Sequence, residues 1–143
     1  MSVQQISIFL ENKKGRLAEV TRLLADRGIN IRALSLADTA DFGVLRIIVN
    51  DPTACLGALK ASGIIAQVTD VLAVEMEDKP GGLSRVLAAL DADDLNVEYM
   101  YAYVEKTRDN AIVIFKVDDR ERARDVLKTN GIATLGAEAL KAL

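Results

Sequence analysis

The chain has 143 residues, half of them hydrophobic and 27% charged, with a net charge of −3 and only two prolines. That composition builds a packed core, and the acidic pI of about 5.0 argues against nucleic acid, which calls for a basic face. Histidine is absent and Cys55 is the only cysteine, which excludes histidine-based acid–base or nucleophile pairs, Cys/His zinc sites and an internal disulfide.

The opening MSVQQISIFLENKK lacks the basic and apolar regions of a secretory signal, and no apolar stretch approaches the ~20 residues that span a bilayer. The expectation is a soluble cytoplasmic protein, with no membrane or nucleic-acid partner and no cofactor.

Residues 4–10 alternate, with Ile6, Ile8 and Leu10 on one face, and predict a strand. A glycine turn follows in ENKKGRL (11–17), and Leu17, Val20 and Leu24 then mark an amphipathic helix. Gly28 is placed to end that helix in the left-handed conformation. A strand from Ile29 to about Asp38, a turn at 39–43 and a strand over 44–50 come next. Asp51 and Pro52 open a second helix, since proline suits the first helical turn. A short strand from about Ile64 closes the unit.

The same order then begins again. EDKPGGL at 77–83 repeats ENKKGRL at an offset of 66 residues, and GINI (28–31) is matched by DLNV (94–97). With a two-residue insertion in the second copy, IIVND (47–51) meets FKVDD (115–119) and LKASGI (59–64) meets LKTNGI (127–132). Asp94 stands where the first copy has Gly28, and aspartate tolerates the left-handed region better than most residues. The chain is therefore a tandem duplication joined near 66–71, with copies at 1–68 and 69–143. Each copy reads β-α-β-β-α-β, which with right-handed crossovers predicts an α+β fold: two ferredoxin-like sandwiches, each an antiparallel sheet with helices on one face.

The strands carry apolar residues on both faces: Val44, Leu45, Ile47, Ile48 and Val49 in one copy, Ile112, Val113, Ile114, Phe115 and Val117 in the other. A sheet wetted on one side would alternate cleanly, so the copies are expected to complete each other or to pair with a second chain. Tyr99, Tyr101 and Tyr103 share one face opposite the small Ala33, Ser35 and Ala37 of the first copy, which suits asymmetric packing. The carboxylates of DADD (91–94) fall at a helix end with unsuitable spacing for a metal.

The pattern N/D-K-x-G-x-L before a helix, followed by G-I-N-I opening a strand, resembles the ACT domain, and both copies carry it. The resemblance implies a free-standing pair of ACT domains, a regulatory family that binds small ligands, mostly amino acids. It also implies an allosteric sensor or a separate regulatory partner of an amino-acid-metabolism enzyme, working as a homodimer, and not a catalyst. Its ligand sites lie where two ACT domains meet, between the first loop and helix of one and the second strand of its neighbour, and imply roles for Leu10, Asn12 and Asn30, matched in the second copy by Met76, Asp78 and Asn96. The turns themselves add Lys13, Gly15, Arg16 and Leu17 in the first copy and Gly81, Gly82 and Leu83 in the second. Glycine leaves N–H groups unshielded at a helix start, where an amino-acid carboxylate fits, and nearby oxygens accept from its ammonium. The alternative is a ligand-independent adaptor.

The basic residues Lys13, Lys14, Arg16 and Lys79 either attract an anion or are solvated turn residues. Asn30 and Asn96 either meet a ligand or bond their local backbone. Asn12 donates or accepts whereas ionised Asp78 only accepts, and Pro80 stiffens only the second loop, so the sites are expected to differ in affinity, or only one to be occupied.

Overall fold

The computed structural model describes residues 2–38, 41–103 and 110–143. The chain divides into two compact units, Gln4–Thr69 and Asp70–Leu143, the latter joined by the N-terminal residues through Val3. Ser2 Oγ donates to Asp70 Oδ1 at 3.0 Å in that second unit.

The first unit holds β1 (Val3–Glu11), α1 (Arg16–Asp26), β2 (Ile31–Asp38), β3 (Phe42–Val49), α2 (Pro52–Ala61) and the start of β4 (Ala66–Glu77). Its strands lie in the order β2-β3-β1-β4, with β3 antiparallel to both β1 and β2. The second unit repeats the plan with the rest of β4, α3 (Gly82–Ala92), β5 (Val97–Ala102), β6 (Asn110–Val117), α4 (Arg120–Thr129) and β7 (Thr134–Leu135). There the order is β5-β6-β4-β7, antiparallel throughout. This is the predicted ferredoxin-like plan, twice. Two details of the element order differ from the sequence expectation. The predicted short closing strand is a 12-residue β4 that ends one repeat and begins the next, and a short α5 (Ala137–Lys141) follows the second repeat.

Alternation decides which residues face the helices. Ile6, Ile8 and Leu10 of β1 and Leu45, Ile47 and Val49 of β3 form one core with Val20, Leu24, Cys55 and Leu59. Leu72, Val74, Met76, Phe115 and Val117 do the same with Val86, Leu90, Ala123 and Leu127 in the second unit. Leu17 departs from the predicted helix stripe: it lies in the first turn of α1 and is 40% exposed. The opposite faces of the strands are buried too, at Ile48, Ala73, Ile112, Ile114, Tyr101 and Tyr103 and at the polar Gln5 and Ser7, whose side chains hydrogen-bond at 3.1 Å.

The helix ends follow the sequence signals. Gly28 has φ 69°, its N–H donates to Ala25 O and the Ile29 N–H to Leu24 O, so the last carbonyls of α1 are satisfied. Asp94 does the same for α3 with φ 58°, the one described non-glycine residue at positive φ. Asp51 caps α2 through the Ala54 N–H, with Pro52 opening the helix as expected. In the expected turn at 39–43, Phe42 and Gly43 already belong to β3, while Thr39 and Ala40 lie outside the described residues.

Candidate functional site

Each copy turns from its first strand into its first helix over a left-handed glycine, Gly15 at φ 87° and Gly81 at φ 89°. A side chain is strained at that angle, which is why the turn repeats its glycine. No side chain caps α1 or α3. The first N–H of each helix donates to a carbonyl of the turn, Arg16 to Lys13 O at 3.2 Å and Gly82 to Lys79 O at 3.0 Å, and the N–H groups that follow lie at the positive end of the helix dipole.

The next residue distinguishes the loops. A Cβ placed on Gly82 would lie 2.1 Å from the carbonyl oxygen of Glu77, so in the second copy that carbonyl packs against the helix start and only glycine fits. Arg16 occupies the equivalent place in the first copy, where the Glu11 carbonyl instead accepts from the Lys13 N–H at 2.8 Å.

Three of the four turn cations, Lys13, Arg16 and Lys79, stand in ion pairs. Lys13 lies 2.9 Å from Glu11, Arg16 reaches Glu11 at 3.6 Å and Glu19 at 3.3 Å, and Lys79 lies 2.6 Å from Glu77. The hydrogen bond from Lys13, then its charge and that of Arg16, holds the Glu11 carboxyl below the usual carboxylate range; Lys79 does so for Glu77. Each loop thus offers acidic and basic groups side by side, the requirement for a zwitterion.

Beside each turn is an open crevice between the end of the first strand, the helix start and the turn after the second helix. In the first copy it measures about 350 Å³ and is lined by Phe9, Leu10, Glu11, Arg16, Glu19, Val20, Phe42 and residues 62–65. In the second it measures about 190 Å³ and is lined by Glu75, Met76, Glu77, residues 79–82, Arg85, Val86 and Ile132. Of the sequence-predicted site residues, Leu10 and Arg16 meet in one crevice and Met76, Gly81 and Gly82 in the other. Asn12, Lys13, Gly15 and Leu17, with Asp78 and Leu83, flank the crevices without lining them.

Asn30 and Asn96 stand elsewhere. Asn30 precedes β2 and its N–H donates to Asn50 Oδ1 at 3.0 Å, at the far end of the strand from the turn, roughly 25 Å away at about 3.3 Å per residue. Asn96 is held in the same way by Asp118. Within one copy these asparagines do not meet the glycine turn, and the bonds they make run from their backbones to side chains 20 and 22 residues further on.

The sequence reading passed over Phe9, Phe42 and Ile65. Phe9 lies opposite Val44 and Phe42 opposite Glu11, so the two rings are diagonal neighbours on one face, and the Phe9 N–H donates to Ile65 O at 3.0 Å. The same positions of the second copy hold Glu75, Asn110 and Ala133, with Glu75 N–H donating to Ala133 O at 3.0 Å. A signal existed: hydrophobic residues at strand positions that the other copy fills with polar or small ones.

Among the described residues no cluster of His, Cys, Asp or Glu is placed to hold a metal, and no helix is long and apolar enough to cross a membrane. No curated protein matches the sequence. The family model described as an ACT domain pair matches residues 1–143. Protein BT0572 from Bacteroides thetaiotaomicron has a solved structure that is 40% identical, covers 100% of this chain and 98% of its own, and superposes with a TM-score of 0.92. The regulatory subunit of aspartate kinase from Thermus thermophilus, in ligand-free form, shares the fold at 18% identity, over 90% of this chain and 91% of its own, with a TM-score of 0.65. Its Thermus flavus counterpart is similar at 18% identity, over 90% and 92%, with a TM-score of 0.63. Matched over residues 1–143 by the family model and over its whole span by a relative 40% identical, the chain belongs to the family of ACT domain pairs.

Proposed function

We propose that this ACT domain pair, with domains over 1–68 and 69–143, is a non-catalytic sensor that binds an amino acid beside its strand–helix glycine turns and passes the binding on as a change in association. The observation that carries this reading is the crevice at the turn, where a helix start without a side-chain cap stands beside paired acidic and basic side chains. A carboxylate is received by N–H groups and a cation, and an ammonium by Glu11 or Glu19. A chain with no histidine and one buried cysteine offers no comparable arrangement for catalysis. The expected setting is the cytoplasm, as a homodimer.

A ligand that binds only the folded chain raises its melting temperature, by the equivalent of about 2.7 kcal/mol at a hundredfold excess over Kd. A thermal-shift series with the twenty amino acids is expected to single out one or a few. The second reading, a ligand-independent adaptor for an amino-acid-metabolism enzyme, is favoured by outer strand β2, which exposes Leu34 and Leu36. No shift with any amino acid at millimolar concentration would select it.

A further inference from the structure

Resting on the sensor reading, we propose that the ligand site is the crevice of the first copy alone, and that it selects an amino acid with a large apolar side chain. Two of the chain's three phenylalanines stand at its mouth, and both are exposed: Phe9 by 39% and Phe42 by 62%, with Ile65 beside them at 70%. Three large apolar groups converging in water around one concavity are a recognition surface, not core left over. Their arrangement also separates the ends of a ligand. Arg16 and Glu19 line the crevice from the helix, and the aromatic groups line it from the strands, where Glu11 is the direct cross-strand partner of Phe42. An amino acid bound by its charged end at the first therefore directs its side chain towards the second.

The second copy lacks the apolar half of this device and alters the charged half, where the Glu77–Lys79 pair stays but arginine replaces the helix carboxylate. Its Glu75 accepts from Asn110 Nδ2 at 2.8 Å where the first copy has Phe9 and Phe42, so an apolar side chain would be laid against a hydrogen-bonded polar pair. Ala133 replaces Ile65. Arg85, standing where the first copy has Glu19, reaches across to donate to the Asn130 carbonyl at 2.7 Å and spans the crevice. The Glu77 carbonyl packs over Gly82 at the helix start. The chain's own groups thus occupy positions that a ligand would need, and the remaining volume is about 190 Å³ against about 350 Å³.

Calorimetry on the full chain tests this, with L-leucine and L-phenylalanine against L-serine and L-aspartate. The expected result is one site per chain, and at least about tenfold tighter binding of the apolar pair, the discrimination that a hydrophobic pocket gives for a few methylenes. The double variant Phe9→Glu/Phe42→Asn, which installs the second copy's pair, is expected to remove that preference. The milder Ile65→Ala should weaken it several-fold; a melting curve shows that each variant is folded. Two equal sites per chain, or serine or aspartate bound as tightly as leucine, would overturn the selectivity while leaving the sensor reading intact. Binding of none of the twenty amino acids would overturn both. If the double variant changes the sedimentation mass and leaves leucine binding unchanged, the apolar cluster is a contact between copies of the chain, and the proposal fails.

Discussion

The two copies repeat one backbone plan and diverge where their first strands turn into their first helices. In the first, a carboxylate is clamped between Lys13 and Arg16 beside an aromatic-rimmed crevice. In the second, the corresponding crevice is spanned by Arg85 and bordered by the Glu75–Asn110 pair. A duplicated unit keeps the residues that make its turn, because those are dictated by local backbone geometry. It is free to change the residues around the turn, because they are dictated only by what the crevice has to hold.

The largest expected effect separates the loops at the first residue of the helix, Arg16 against Gly82. Gly82→Ala drives a Cβ into the Glu77 carbonyl and is expected to cost ~2 kcal/mol or more, through overpacking against main chain that cannot rotate away. The reverse exchange in the first copy, Arg16→Gly, should cost at most ~1 kcal/mol by helix propensity. Urea denaturation of the two variants checks the contrast, and equal losses would break it. Gly15→Ala and Gly81→Ala meet no neighbouring atom and suffer only the left-handed φ, so each is expected to lose ~1–2 kcal/mol, alike in both copies.

A smaller difference lies in the cores. Cys55 of α2 corresponds to Ala123 of α4, and both are fully buried. Cys55→Ala should cost ~1 kcal/mol, at the low end for trimming a buried side chain. Burial, and secondarily the charge of Asp51, pushes the Cys55 thiol up to about 11 from its ordinary value near 9. The native thiol should therefore resist alkylation at pH 8. The contribution from its neutral form is complete below pH 9 and is lost as pH rises towards 11, since the unfolded chain ionises first. Thiol titration with and without denaturant measures both.

The smallest effect concerns the exposed carboxylates. Glu11 and Glu77 both titrate below the ordinary range, so what they contribute to folding is present above that range and disappears as pH falls through their lowered values. Lys13→Ala should return the Glu11 titration towards normal and leave Glu77 where it is, as followed by side-chain carboxyl NMR. Movement of both would mean that the loops are electrically coupled.

The sequence by itself determined the repeat, the glycine at each strand–helix turn, the helix stops at Gly28 and Asp94, the Asp51–Pro52 start and the alternation that sorts Ile6, Ile8 and Leu10 inward. Each of these signals acts within a few residues, through backbone sterics or a hydrogen bond to the next turn, so a linear reading reaches them. Only the tertiary structure decided that Phe9, Phe42 and Ile65 meet, since strand register makes neighbours of positions far apart in the chain. It also decided that Asn30 stands a strand's length from Asn12, that Arg85 bridges to the Asn130 carbonyl, and that the Glu77 carbonyl makes Gly82 obligatory. Those facts depend on which atoms three-dimensional packing brings within a few ångströms, and residue types along the chain do not carry that information.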